Sequence, residues 1–267
     1  MQHERKAAVR GVFYPKDCSK IKTYFQKFRD FMDRKKQNIS LSKVAPRAII
    51  VPHAGYVYSG FTANIAYTML ANSGAKRVVV IGPSHHYYFE GISGSYFEEY
   101  ETPCGNIEID SDYLITLAKN FKIGFEPKAH MKEHSTEVQM PFIKEYLPNA
   151  KVVALVYGKI SSSKLSEIIT YILEDANNAV VISSDLSHFY TQEQAKKLDS
   201  ICLDAIQSLS SQRLDQGCEA CGILGIKATI LSSHTLKLQS QLLDYRTSFD
   251  YSGDKSRVVG YASVVLY

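Results

Sequence analysis

Four short apolar runs, at residues 47–51, 77–81, 152–156 and 179–182, constrain this chain more than any other feature. Each is rich in Val and Ile, too short for a helix, and apolar at consecutive positions, so both of its faces must be covered. Three of them stop at once on Pro52, Gly82 or Ser183. Helical patterns lie between them. Ile21, Tyr24, Phe25, Phe28, Phe31 and Met32 recur at helical spacing and predict an amphipathic helix over 18–37. Further helices are expected over 60–72 with Ser59 as its cap, over about 112–120, over 133–147 with a break or kink at Pro141, around Leu165, Ile168, Ile169 and Ile172, over 192–209, and over 221–233. Residues 89–110 read as an inserted stretch of loops or short antiparallel strands, and the alternation over 257–267 as a last strand. No repeat, low-complexity stretch or Pro/Gly linker divides the chain. The expected fold is therefore a single α/β domain over 1–267, a central mixed but mostly parallel sheet with helices on both faces.

Composition narrows the function classes. Hydrophobic residues make up 45% of the 267 and charged residues 22%, enough apolar material for a packed core and too much for a disordered chain. The net charge is only +4, and the one dense basic run, Arg34, Lys35 and Lys36, reads as a solvated helix end; no nucleic-acid partner is expected. The N-terminal residues carry no apolar leader and no stretch of about 18 apolar residues occurs, so neither secretion nor a membrane span is expected. Five cysteines, Cys18, Cys104, Cys202, Cys218 and Cys221, are an odd number and do not suggest a disulfide framework. The expectation is a cytoplasmic, reducing setting with free thiols, Cys202 packing as core and Cys18 and Cys104 incidental.

Chemistry collects directly after three of the buried runs: Pro52-His53-Ala54-Gly55-Tyr56, Gly82-Pro83-Ser84-His85-His86, and Ser183-Ser184-Asp185-Leu186-Ser187-His188. In an open α/β sheet ligands bind outside the carboxyl ends of the strands, so all three segments belong to one edge. Four of the eight histidines sit here. His53 and His85 are the first candidates for metal ligands, since imidazole is a common ligand and a site needs three or four donors. His86 adjoins His85 and would face elsewhere. A third donor must come from farther along, from Asp185, His188, Glu133, His134, Glu137, Cys218 or Cys221. The Cys218-Glu-Ala-Cys221 spacing has no second pair to complete a zinc knuckle and lies too late for a thioredoxin-like motif; one of its thiolates serving as a metal ligand is the stronger option.

The strings PHAGYVYSG (52–60), GPSHH (82–86), EHSTEVQMPF (133–142), SSDLSH (183–188) and ACG (220–222), with GVFYP at 11–15, resemble the MEMO-like protein family in order and spacing across nearly the whole chain. That family is similar in fold to class III extradiol dioxygenases, which use non-haem Fe(II). The resemblance implies His53 and His85 as two histidine ligands and Cys221 in the place of a carboxylate ligand. It also implies His188 as the acid/base group with Asp185 beside it. Bacterial and archaeal members resemble component B of the AmmeMemoRadiSam system, which implies AMMECR-type and radical SAM partner proteins. Eukaryotic relatives are described as signalling mediators that bind phosphotyrosine peptides and metal.

The thiolate is a departure from the dioxygenase pattern, being softer than a carboxylate and favouring Cu(I) or Zn. The expected cofactor is Fe(II) first, with Cu or Zn as alternatives. His134 is expected to reach the pocket, with Glu137 near it as a hydrogen-bonding group and Tyr58 at the mouth. Two function classes stay open: a metal-dependent oxidoreductase acting on a small molecule, and a non-catalytic adaptor or subunit that holds a peptide or partner in the same pocket.

Overall fold

Alternate residues of the apolar runs face opposite sides of one sheet, and each side has its own core. The computed structural model describes residues 2–34 and 44–267, so the last part of the helix expected over 18–37, with Lys35 and Lys36 of the basic run, lies outside the described residues. Numbered along the described chain, the strands are β1 (Gln2–Arg5), β2 (Ala48–Val51), β3 (Arg77–Pro83), β4 (Ile92–Gly94), β5 (Phe97–Tyr100), β6 (Ile107–Glu108), β7 (Lys151–Tyr157), β8 (Asn178–Ser183), β9 (His188–Tyr190), β10 (Ser240–Thr247) and β11 (Val258–Leu266).

The main sheet runs β10-β11-β2-β8-β3-β7-β4, with β9 added against β11. Its centre, β2, β8, β3 and β7, is parallel. β11 and β10 on one side and β4 on the other run antiparallel to their neighbours. The result is a single α/β domain on a mixed sheet. Ile50, Val79, Ile81, Val153, Leu155, Val180 and Ile182 pack into one core with the helices Ser162–Glu174, Gln192–Gln207 and Ile223–Leu236. Ile49, Val51, Val78, Val80, Ala154 and Val181 pack into the other with Cys18–Arg34, Tyr56–Leu70 and Met140–Tyr146. A small second sheet, β1-β5-β6, ties the N-terminal strand to the inserted 89–110 stretch.

Several expectations need correction. The helix expected from residue 60 begins a turn earlier, at Tyr56, with Gly55 at its N-cap; Ser59 lies inside it, and its hydroxyl donates to the Ala54 carbonyl instead of capping. The helix expected over 133–147 is two pieces, His134–Glu137 and Met140–Tyr146, and Pro141 sits in the first turn of the second, where its missing N–H breaks no helical hydrogen bond. β10 was not foreseen, because its sequence SQLLDYRT is polar and half-buried at the sheet edge. The cysteines do pair: Cys18 with Cys104 and Cys202 with Cys218, leaving Cys221 as the free thiol. An odd count concealed two bridges whose partners stand 86 and 16 residues apart, distances that carry no sequence signal. Cysteine number therefore no longer argues for a reducing setting. Among the described residues no helix is long and apolar enough to cross a membrane.

Candidate metal centre

Parallel β2, β3 and β8 all end at the same edge, and their three following segments converge there. A nitrogen of His53, a nitrogen of His85 and the sulfur of Cys221 all lie within 4.8 Å of one another. Three protein donors at that spacing can touch one ion with metal–nitrogen and metal–sulfur bonds of about 2.0–2.3 Å.

Hydrogen bonds settle which nitrogen each histidine presents. Ser183 Oγ donates its one proton to the Ser135 carbonyl at 2.6 Å and accepts from Gln139 Nε2 at 2.9 Å. Its contact with His53 Nδ1, 2.9 Å, must then be donated by the ring. His53 is thereby the Nδ1–H tautomer, and the lone pair of Nε2 faces Cys221 Sγ, 3.3 Å away. Burial foremost, then the nearby His85 and His134, keep His53 far below the usual histidine pKa, so it is neutral. His85 Nδ1 donates to Glu133 Oε1 at 2.8 Å, which leaves its Nε2 free in the same way.

Glu133 is fully buried, and its carboxylate also takes the backbone N–H groups of His85 (2.6 Å) and Ser135 (2.9 Å). Burial alone would raise its pKa, but these hydrogen bonds, led by that from His85, win and hold it at about 2. His85, Glu133 and His134 also stand close enough to hold an ion. Glu133 is nevertheless a poor ligand, because its oxygens are already filled by donors that would be stranded. The His53–His85–Cys221 group is the better centre.

Cys221 reaches the site from the loop before the helix Ile223–Leu236. Its sulfur accepts from the Asp185 N–H at 3.2 Å. Burial, then the Asp185 carboxylate, push the thiol up to about 12, so it needs a bound cation to ionise near neutral pH. Asp185 stands beside the same group. Its Oδ1 accepts the His53 N–H at 2.8 Å, and its Oδ2 stands 3.9 Å from His53 Nε2 and 4.0 Å from His188 Nε2. Burial raises its pKa to about 6 against the opposing His53 N–H. The His188 side chain is 33% exposed.

The remaining expected residues divide. His134 reaches the cluster, its ring centroid 4.4 Å from that of His85 and 5.2 Å from that of His53. Burial, then His85, lower its pKa to about 4. Tyr58 is exposed and meets Tyr251 edge-on at 5.5 Å. Glu137 instead anchors the N-terminal segment: it takes hydrogen bonds from Arg5 (2.6 Å), the Ala8 and Val9 N–H groups (both 2.9 Å) and Tyr14 (2.7 Å). That segment closes one side of the site, with the Phe13 ring 5.0 Å from His134 and its carbonyl accepting from the Tyr56 N–H. Ser183 and Gln139, which fix the His53 tautomer, were missed although both stand within the motifs quoted above; nothing in their residue type marks them as partners of a histidine ring.

An α/β sheet at whose strand-end edge two fixed imidazoles and one partly buried thiol gather is an open-sheet fold carrying a possible metal-binding group. The chain belongs to the Memo-like protein family, whose sequence profile matches residues 5–265. A MEMO1 family protein of Methanobrevibacter smithii is 37% identical to it, covering 98% of this chain and 99% of its own. One of Aquifex aeolicus is 31% identical, covering 98% of each. Among solved structures, an uncharacterized protein from Escherichia coli K12 shares the fold with a TM-score of 0.53 at 11% identity, over 82% of this chain and 98% of that one.

Proposed function

We propose that this protein is a metal-dependent oxidoreductase whose ion is held by His53, His85 and Cys221. The observation that carries this reading is the pair of fixed tautomers: both rings tie up Nδ1 and leave Nε2 bare, with His53 Nε2 3.3 Å from the Cys221 sulfur and a nitrogen of His85 in the same group. A histidine pair serving only to pack would not need both Nδ1 protons tied to protein acceptors. The fold resemblance that the sequence motifs imply, to class III extradiol dioxygenases, favours Fe(II), and the thiolate equally suits copper. When bound, such an ion supplies redox chemistry and a positive charge that steadies an anionic substrate oxygen.

The chain's own residues account for the rest. His188 accepts the substrate's proton at Nε2. Asp185 Oδ2, 4.0 Å away, stabilises the charge that His188 then carries. The His53 N–H holds that carboxylate in place through Oδ1. The Phe13 ring packs edge-on against His134, beside the two histidine ligands.

The test is protein purified without oxygen, analysed for metal, loaded with Fe(II) and assayed for oxygen uptake with a panel of catechols. Uptake should appear with wild type and fall by roughly 100-fold or more in His188→Ala with the metal retained, the usual worth of general acid–base catalysis. Bound iron with no uptake on any substrate would replace this reading by the adaptor.

A further inference from the structure

Tyr157 ends β7, and its backbone and its side chain reach two different arms of the centre. Its carbonyl accepts the Ser84 N–H at 2.9 Å, one residue before His85. Its side chain belongs to the core that holds the helix Ile223–Leu236, and the residue is 4% exposed. There it packs on Gly225, the third residue of that helix and the fourth after Cys221. A Cβ at Gly225 would lie 3.3 Å from Tyr157 Oη, so the glycine makes room for this hydroxyl. Among the described residues the buried Tyr157 Oη has no hydrogen-bond partner. A buried hydroxyl left unsatisfied destabilises a fold, and phenylalanine would fill the same space without that penalty.

The hydroxyl's surroundings say what it serves. Burial first, then the charge of Cys221, raise its pKa above the usual tyrosine range, so the proton stays on oxygen and needs an acceptor. The Gly225 N–H acts in the opposite direction, but it is a donor and cannot take that proton. Of the ionisable neighbours, Cys221 acts on Tyr157 more than Glu133 does. Glu133 is already filled by His85 and Ser135. The Cys221 sulfur takes one backbone N–H, that of Asp185. A neutral thiol is a weak acceptor, whereas an ionised one makes strong, charge-assisted hydrogen bonds. We infer that Tyr157 is a positioning residue of this centre, its hydroxyl donating to the Cys221 sulfur when that sulfur holds the ion. Such a hydrogen bond draws charge off the sulfur, and hydrogen bonding around a cysteine ligand tunes the ion's redox potential. The role rests on the metal centre of the proposed function.

The experiment is anaerobic titration of the full chain with Co(II), whose sulfur-to-metal charge-transfer band in the near ultraviolet reports the thiolate directly. Tyr157→Phe should bind Co(II) about 10- to 100-fold more weakly than wild type, the usual effect of losing a hydrogen-bonding partner of a metal ligand. Its band should move to longer wavelength, because sulfur lone pairs without that hydrogen bond give up an electron more easily. Free of metal, the same variant should melt no lower than wild type, since it loses only an unsatisfied hydroxyl. In a Cys221→Ser background, Tyr157→Phe should change affinity by less than about twofold, because the two side chains act as a unit. Wild-type affinity and an unshifted band in Tyr157→Phe would overturn the role while the centre stands. So would a full loss of affinity on adding Tyr157→Phe to Cys221→Ser, or a metal-free variant that melts lower with its band unmoved, the pattern of a tyrosine that only packs. Wild type that binds no Co(II), or binds it without a thiolate band, would overturn the metal centre itself and this role with it.

Discussion

Cys221 is the residue whose chemistry decides the most. Its thiol is raised to about 12 by burial and then by Asp185, while His53 is held neutral. Between about pH 7 and 9 the free site therefore holds one proton that the metal-bound site lacks, the one on sulfur. Metal binding releases it, so affinity must rise with pH: about tenfold per unit, a slope of one in log K. Competition titration with Co(II) across that range measures it. In Cys221→Ser the hydroxyl stays protonated, so the slope should flatten towards zero and affinity should fall by more than the 10–100-fold that follows loss of an outer hydrogen-bonding partner. A slope of one persisting in Cys221→Ser would place the released proton on another group. Two features of this residue differ in how readable they were. That Cys221 could be a ligand followed from a family motif. That its neighbour in the CxxC spacing is unavailable did not, because Cys218 is bridged to Cys202, which a linear pattern cannot show.

At the scale of elements, the Cys202–Cys218 bridge fastens the 208–222 segment to the helix Gln192–Gln207, three residues before the thiol ligand. Closing a loop of about 15 residues stabilises a fold by roughly 3 kcal/mol in the chain-entropy account. Cys202→Ser and Cys218→Ser delete the same covalent link, so they should lower the melting temperature alike, on the order of 5–10 °C. Both should leave metal affinity far closer to wild type than Cys221→Ser does. Calorimetry with and without reductant checks it, since reductant should bring wild type down towards the variants but change Cys202→Ser less. Unequal losses would mean that one of these sulfurs has a second role. The elements themselves were legible to different degrees for physical reasons. β2, β3, β7 and β8 are buried on both faces and announce themselves as Val/Ile runs. β10 is half-buried along its length, and β9 has three residues, one of them bulged, so neither leaves a periodic trace. The site was legible where a strand end fixed a side chain, as at His53 and His85. It was not where a contact depends on how distant segments meet. Glu137 shares a short motif with Glu133, yet one carboxylate takes up Arg5 and the other His85.

On the scale of the whole molecule, the candidate donors come from three separate places along the chain: after β2, after β3, and before the helix Ile223–Leu236. The elements bearing them belong to both sides of the sheet, since Tyr56–Leu70 packs in one core and Ile223–Leu236 in the other. An ion held by all three would link the two cores at the open edge, where the described structure joins them by hydrogen bonds such as His53 N–H to Asp185 and the Cys221 N–H to the Asp185 carbonyl. A ligand that binds only the folded state stabilises it by RT ln(1 + [L]/Kd), about 2.7 kcal/mol at one hundred times Kd. For a chain of this size that corresponds to a rise of roughly 5–10 °C. Melting curves with Zn(II) at known multiples of its measured Kd should follow this logarithm, and the whole chain should melt in one transition, because the donors span both cores. His85→Ala, which removes a donor from the end of β3, should abolish the shift without preventing folding, since His85 is partly exposed and its loss opens no sealed cavity. A metal that raised only part of a two-step melt would show that the ion braces one side of the sheet alone, and the three-donor centre would then have to give way to the neighbouring His85, Glu133 and His134 group, whose residues lie on the β3 side.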